Sequence, residues 1–462
     1  MIVNTESIKD KKIVVVGAAR SGMAAVEFLY KYGAQITVSE QKTEEQMREK
    51  VEVLKRYDGI ELDFGGHTDK HFTTADCIVL SPGVPVDIAP VLKAKKKGVE
   101  VISEVELAFR HTDSKVVGIT GSNGKTTTTA LTGSMLKSSG IKTSVCGNIG
   151  NSFINELIYR PDTEFFVVEL SSFQLETIDT FRPVAGVILN ITPDHMDRYR
   201  NIIEYAKAKF RIFENQKSTD LAVLNSDDPI LVDFGRDLIS DVKYFSTLKG
   251  IENGLYKKNN KIYRAQNGSS DYFCDADILK LRGTHNLMNF MAATILALYA
   301  GADRKSIIKA ASNFEPLEHR LEYVAEVDGV HYYNDSKATN IDSARKSMSS
   351  FGSGLILIMG GKDKGADFRL LRDLLSSKVD LLILTGEAAE KIRKQVGDVV
   401  SHVVEKDFDN AVETAINMAK EGDTVLLAPG CASFDQFDNF EERGNRFKEL
   451  IISKAKSIEI NG

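Results

Sequence analysis

An apolar run at residues 115–119 leads straight into Thr120-Gly-Ser-Asn-Gly-Lys-Thr-Thr127, and a helical pattern follows over residues 126–138. No other stretch narrows the fold so far. A strand that turns on glycines into a helix is the entry to a parallel α/β sheet. The glycines let backbone N–H groups face phosphate oxygens, and the following helix presents its positive end. In such a loop Lys125 reaches the β- and γ-phosphates and the Thr126 hydroxyl ligates Mg²⁺. The strict spacing G-x-x-x-x-G-K-[ST] is not met, because position 119 is Ile and the earlier glycine is Gly118. The segment is a variant phosphate loop. The competing reading, a glycine turn carrying a surface lysine, does not account for the strand–loop–helix context.

The same local grammar recurs on both sides. Residues 13–16 read as a buried strand, followed by Gly17-Ala-Ala-Arg-Ser-Gly22, a helix to about residue 32, and strands at 35–39 and 75–80. Gly17–Gly22 is close to a dinucleotide fingerprint, with Glu40 about twenty residues on. Ala19 replaces the glycine that lets a pyrophosphate approach, so a nucleotide pocket and a plain strand–helix turn both remain open. In the middle of the chain, strands at 165–168 and 186–189 exit on Glu169-Leu-Ser-Ser172 and Asn190-Ile-Thr-Pro-Asp-His195. A carboxylate at such an exit holds Mg²⁺ or caps a helix. His195, in Asp194-His195-Met-Asp197, ligates a second metal, orients a nucleophile or is structural. Residues 249–267 read as a surface insertion with edge strands, and 283–300 as a helix. In the last third, strands at 330–333, 355–359, 381–384 and 424–427 exit on polar or glycine loops, among them Asn334-Asp-Ser-Lys337 and the lysine-bearing loop at 360–367. Ligands of open α/β sheets bind at such carboxyl ends, and basic groups there suit phosphate or carboxylate.

With 462 residues, about three domains are expected. The division is 1–103, 104–316 and 317–462. The expected fold class is α/β, with Rossmann-like domains at both ends around a central parallel sheet of the P-loop NTPase type. A net charge of −6 argues against a general nucleic-acid binder. Four scattered cysteines (Cys77, Cys146, Cys274, Cys431) form neither a zinc pattern nor a disulfide framework and fit a reducing compartment. The polar start is no secretory signal, and the longest apolar stretch, near 290–302, is too short to cross a bilayer. A soluble, cytoplasmic, monomeric protein without membrane insertion is expected.

Taken together, Thr120-Gly-Ser-Asn-Gly-Lys-Thr, Glu169-Leu-Ser-Ser-Phe-Gln, Asn190-Ile-Thr-Pro-Asp-His195, His285-Asn286-x-x-Asn289, His319-Arg320 and Asn334-Asp-Ser-Lys-Ala-Thr-Asn resemble the Mur ligases, in order and spacing over nearly the whole chain. Those are ATP-dependent amino-acid ligases of peptidoglycan precursor synthesis. Asp194-His-Met-Asp-Arg-Tyr199 and Ser433-Phe-Asp-Gln-Phe-Asp-Asn-Phe-Glu-Glu-Arg-Gly444 are similar to the members that add D-glutamate. The resemblance implies that ATP phosphorylates the carboxylate of UDP-N-acetylmuramoyl-L-alanine and that the D-glutamate amine then displaces phosphate.

It also implies roles for residues. Thr120, Gly121, Ser122, Asn123, Gly124, Lys125, Thr126 and Thr127 would bind ATP, with Asn286 and Asn289 at adenine and Arg320 and Asp335 acting from the last domain. Thr126 and Glu169 would hold one Mg²⁺, and His195 would help hold a second. Lys209 would be carbamylated by CO₂ and act as an acidic metal-site group. The following Phe210-Arg-Ile favours it over Lys207. Lys337 would lie near the transferred phosphate. Arg20, Ser21, Glu40, Ser81 and Gly83 would bind the uridine diphosphate, and Asn148 the muramoyl arm. Thr339, Lys364, Ser433, Phe434 and Phe440 would hold D-glutamate. The catalytic set implied is Lys125, Glu169, His195, Lys209 and Lys337.

Overall fold

The computed structural model describes residues 1–461 except 149, 197, 280–282 and 316. Asp197 of the sequence motif lies outside the described residues. Three sheets are formed in chain order. The first comprises β1 (Lys12–Val16), β2 (Gln35–Glu40), β3 (Glu61–Phe64), β4 (Cys77–Leu80) and β5 (Glu100–Ser103), in the order β3-β2-β1-β4-β5. All its pairings are parallel. Ile13, Val14, Val15 and Val16 are all buried, so both faces of β1 are covered, as crossover helices on the two sides of a sheet require.

The second sheet comprises β6 (Lys115–Thr120), β7 (Thr143–Gly147), β8 (Phe165–Glu169), β9 (Ala185–Ile188), β10 (Leu221–Asn225), β11 (Asp241–Ser246), β12 (Gly254–Lys258), β13 (Lys261–Gln266) and β14 (Ser269–Asp275). Their order is β14-β13-β12-β11-β10-β9-β6-β8-β7. The expected parallel sheet is present, and an antiparallel edge extends it. The strands from β6 to β12 are parallel, but β12–β13 and β13–β14 pair antiparallel. The cause is local. Asn259 (φ 54°), at the β12–β13 turn, and Asn267 (φ 51°) with Gly268 (φ 80°), between β13 and β14, have positive φ. Two-residue turns of that kind join only antiparallel neighbours. Tyr256, Tyr263 and Tyr272 form a cross-strand ladder on these strands, with ring centroids 5.6 and 6.4 Å apart. The edge strands foreseen at 249–267 are present, and a third extends them to Asp275.

The third sheet comprises β15 (Glu322–Val327), β16 (Val330–Asn334), β17 (Leu355–Gly360), β18 (Val379–Thr385), β19 (His402–Val404) and β20 (Thr424–Gly430), in the order β15-β16-β20-β17-β18-β19. All but β15 run parallel; β15 returns on β16 through Asp328 (φ 53°) and Gly329 (φ 73°). Strand alternation divides the core cleanly. Leu355, Leu357 and Met359 join one buried cluster, while Ile356 and Ile358 join another with Phe447.

The chain packs as two compact units. One holds the first two sheets. The other holds the third sheet and also takes in Thr192–Ile202, a grouping that the linear division of the sequence did not anticipate. Among the described residues no helix is long and apolar enough to cross a membrane.

Candidate functional site

In the first unit, β6 ends at Thr120 and the helix Lys125–Ser138 begins one residue earlier than the sequence pattern suggested. Gly124, its N-cap, has φ 86°. A Cβ there would meet Asn289 Oδ1 at 2.3 Å, so the position needs glycine twice over, for its backbone conformation and for space. Asn289 is buried and takes the Asn286 Oδ1 as acceptor at 3.3 Å. This pair, expected at adenine, is therefore also a wall of the phosphate loop. The exit of β9 clamps the loop from another side. Ser122 N–H donates to Asn190 O at 2.9 Å, Asn123 N–H to Asn190 Oδ1 at 2.9 Å, and Asn190 Nδ2 to Asn123 O at 3.0 Å. Lys125 Nζ folds over the loop to the carbonyls of Gly121 and Ser122 at 2.9 and 2.8 Å. Sequence reading quoted Asn190 but gave it no task; a residue that clamps by both backbone and side chain has no signature in a single chain.

Glu169 ends β8 directly beside β6, opposite Ile119. Its Oε1 accepts from Asn148 Nδ2 at 3.0 Å, and its backbone carbonyl accepts from Asn148 N–H at 2.9 Å. The residue expected at the muramoyl arm and the one expected at Mg²⁺ are thus joined. Glu169 Oε2 and Thr126 Oγ1 are both buried without a hydrogen-bond partner. Orphaned buried oxygens are rare, and two oxygen donors flanking a phosphate loop fit a hard cation. Among the described residues no group of three or more His, Cys, Asp and Glu gathers to cage a metal. Mg²⁺ suits such a site, since it keeps waters and takes substrate phosphate oxygens. Lys209 is 1% exposed, with Nζ 3.5 Å from Thr120 Oγ1 and 4.5 Å from the Tyr205 ring centroid. A lysine so deeply buried does not lie on a solvated helix face.

The residues expected at the uridine diphosphate lie in this unit as well. Gly17 turns the chain at φ 90°, and Ser81 Oγ donates to its carbonyl at 2.9 Å. Glu40 Oε2 accepts from Ala18 N–H at 2.9 Å. Arg20 and Ser21 open the helix Arg20–Lys31, and Arg20 Nη2 reaches Asn148 O at 3.4 Å. Gly83 has open space where a side chain would stand.

In the second unit, the loop after β16 carries Asp335, Ser336 and Lys337. Asp335 is buried, which pushes its carboxyl up to about 6 against the opposing effects of the Ser347 hydroxyl and Arg320. Lys337 Nζ sits 3.6 Å from the centroid of Phe440, and Thr339 N–H donates to Lys337 O at 2.8 Å. Ser433 is buried, while Phe434 is 68% exposed. Lys364, expected at D-glutamate, pairs with Asp194 at 2.6 Å, and Asn340 Nδ2 donates to the same carboxylate at 3.0 Å. Burial opposes ionisation of Asp194, but Lys364 and His195 outweigh it and hold the group well below the usual carboxylate range. His195 itself has φ 56° and its Nε2 lies 3.8 Å from Asp194 Oδ2.

Sequence reading gave no role to Arg443. It is 3% exposed and donates to Ser336 Oγ and O and to the carbonyls of Cys431 and Ala432 at 2.9–3.3 Å. One guanidinium thereby ties the β16 exit to the β20 exit. Burial pulls it down to about 10. A charged residue within Glu-Glu-Arg reads as solvent-facing, so only packing reveals it.

The chain matches the family models of the Mur ligase MurD-like N-terminal domain over residues 11–103, the Mur ligase middle domain over 119–297 and the Mur ligase glutamate ligase domain over 319–431. It is 46% identical, over 97% of its length and 99% of the relative's, to a Koribacter versatilis protein named UDP-N-acetylmuramoylalanine–D-glutamate ligase. A protein of the same name from Alkaliphilus metalliredigens is 41% identical over 97% of this chain and 100% of its own. Among solved structures, a pseudomurein peptide ligase type C from Methanothermus fervidus is similar with a TM-score of 0.61 and 22% identity, covering 96% of this chain and 100% of that one. The UDP-N-acetylmuramate-alanine ligase MurC of Thermotoga maritima follows at 0.59 and 18%, covering 96% and 99%. At those identities the solved structures speak for the fold alone.

Proposed function

This chain belongs to the Mur ligase family; it is an ATP-dependent peptidoglycan-precursor ligase joining D-glutamate to UDP-N-acetylmuramoyl-L-alanine, and we propose that it works through an acyl phosphate. The observation that carries the substrate assignment is full-length identity of 46% to a relative of that name. The pair of orphaned oxygens beside the phosphate loop supports the chemistry.

In this reading the substrate carboxylate attacks the γ-phosphorus of ATP and ADP leaves. The D-glutamate amine then attacks the acyl carbon, gives up a proton, and inorganic phosphate departs. Every reactant is anionic, so the chain must gather positive and dipolar groups and align three molecules. Amides of residues 120–127 and the Lys125 ammonium cradle the ATP phosphates. Asn286 and Asn289 border the adenosine, and Arg320 and Asp335 serve ATP from the third sheet. Thr126 and Glu169 would hold Mg²⁺ through the oxygens that have no hydrogen-bond partner, and His195 would contribute to a second ion. Bound Mg²⁺ would neutralise charge on the transferring phosphoryl group. Lys209 would take up CO₂: its ammonium loses one proton, the free amine adds to the carbon, and loss of a second proton leaves a carbamate, a buried anion beside Thr120. Lys337 carries positive charge at the transferred phosphate. Arg20, Ser21, Glu40, Ser81, Gly83 and Asn148 bind the UDP-sugar, and Thr339, Lys364, Ser433, Phe434 and Phe440 the amino acid.

The proposed division of labour is 1–103 for UDP-sugar, 104–316 for ATP and metals and 317–462 for D-glutamate, in a cytoplasmic monomer. The product mass after incubation with ATP, Mg²⁺, the UDP-sugar and D-glutamate tests the reaction. Turnover with L-glutamate but not D-glutamate would sink it. Lys209→Ala is expected to lower turnover severely, and wild-type turnover is expected to depend on bicarbonate; an active purified variant would remove the carbamate role.

A further inference from the structure

Phe440 opens the long helix Phe440–Asn461, and its surroundings fix it from several sides. Its carbonyl accepts from Ser336 Oγ at 2.8 Å. Its ring meets His319 edge-on, centroids 6.1 Å apart and planes at 82°. His319 is 4% exposed and holds φ 62°. The Asn334 amide lies 2.9 Å from its Nδ1. Behind it stands Gly444, where an added Cβ would come within 2.3 Å of His319 Nδ1. The Lys337 N–H donates to His319 O at 3.1 Å. Lysine, histidine and phenylalanine therefore form one packed group, in which the phenylalanine ring lies 3.6 Å from the Lys337 ammonium.

A lysine side chain has four rotatable carbons and an unselective point charge. Left to itself it must be ordered when the reaction needs it. An aromatic face attracts an ammonium through its quadrupole, and the contacts that hold this face come from the protein itself. We propose that Phe440 is a positioning residue for the ligation: its ring holds the Lys337 ammonium in one orientation, so that the lysine meets developing phosphate charge without reorganising. Sequence resemblance placed Phe440 among the D-glutamate residues; the ring contact gives its side chain a separate task. The inference rests on the reading of Lys337 as the cation at the transferred phosphate.

A double-mutant cycle tests it. Phe440→Leu, Phe440→Tyr, Lys337→Ala and the Phe440→Leu/Lys337→Ala pair are compared by kcat and by KM for D-glutamate and ATP. Each variant is checked for wild-type melting behaviour, and Phe440→Met stands in should Phe440→Leu not fold. Phe440→Leu is expected to lower kcat about 10-fold with a smaller change in D-glutamate KM. Phe440→Tyr keeps the ring face and is expected to recover most of that loss. In the Lys337→Ala background, Phe440→Leu is expected to cost less than about twofold. Independent, multiplying losses would overturn the proposal, as would a Phe440→Leu effect confined to D-glutamate KM, or a Phe440→Tyr variant as slow as Phe440→Leu. A fully active Lys337→Ala enzyme would instead overturn the reading of Lys337 on which the inference stands.

Discussion

The glycine turns after β1 and after β6 begin alike, each an apolar strand leading through positive-φ glycine, Gly17 in the first and Gly121 and Gly124 in the second, into a helix. Around Gly17 the polar groups are satisfied within the protein: Ser81 donates to Gly17 O, and Glu40 accepts from Ala18 N–H. A Cβ on Gly22 would fall 1.9 Å from Gly17 O, so that glycine serves helix-to-strand packing. Around Gly121–Thr126 the loop is clamped equally well by Asn190, yet Thr126 Oγ1 and the neighbouring Glu169 Oε2 remain without partners. The two turns share their backbone plan and differ in that the second carries, within its own loop, a buried hydroxyl without a hydrogen-bond partner.

The largest expected effect tests that asymmetry. Lys125→Met should lower kcat on the order of 10³-fold while leaving UDP-sugar binding, measured by calorimetry, unchanged. Comparable loss from Arg20→Met in kcat, rather than in UDP-sugar KM, would erase the distinction between the loops. Next, Glu169→Gln should reduce turnover about 100-fold and raise the Mg²⁺ concentration needed for half-maximal rate; an unchanged Mg²⁺ titration would refute the metal role. The glycines should then separate by readout. Gly124→Ala, with φ 86° and Asn289 in the way, should weaken ATP binding by about 1–3 kcal/mol. Gly22→Ala should lower stability by about 1–3 kcal/mol in denaturant unfolding without touching ATP affinity.

The smallest expected effect concerns Glu104, whose carboxyl feels Arg20 of the first turn. Glu104 and Glu106 stand on one short helix with opposite fates. Burial disfavours the charge on both, but Glu106 accepts from the backbone of Asp179, Thr180 and Phe181 and from Arg110, and ends below its ordinary value. Glu104 has Ile154 N–H at 2.6 Å, its Oε2 has no hydrogen-bond partner, and burial pushes it up to about 7. A folded-state value raised above the unfolded one means the native protein binds the extra proton. The resulting stability is full below about 4.5 and is lost as pH rises through about 7. Glu104→Gln should flatten that part of the melting-temperature profile; an unaltered slope would show that another group titrates there.

Much of this was legible in the chain. The strand–glycine–helix rhythm gave three parallel α/β blocks, because burial of apolar strands and the φ of glycine are local constraints. The motif around Lys125 named the phosphate loop for the same reason. Strand β15 and the antiparallel pairing of β13 and β14 escaped, since half-exposed edge strands carry little apolar signal. Asn190, Arg443 and the Asp194–Lys364 pair escaped differently: their tasks consist of contacts between segments far apart in sequence.

The sequence by itself determined the parallel α/β core of the three sheets, the family and a set of candidate site residues. The first follows from short-range periodicity and turn chemistry, and the other two from motifs that resemble the family's in order and spacing over nearly the whole chain. Only the tertiary structure decided that Lys209 is buried beside Thr120, that Thr126 and Glu169 keep unanswered oxygens, and that Phe440 faces Lys337. Such facts depend on which distant groups share a hydrogen bond or a ring face, and hydrogen-bond satisfaction belongs to the packed molecule rather than to any stretch of chain.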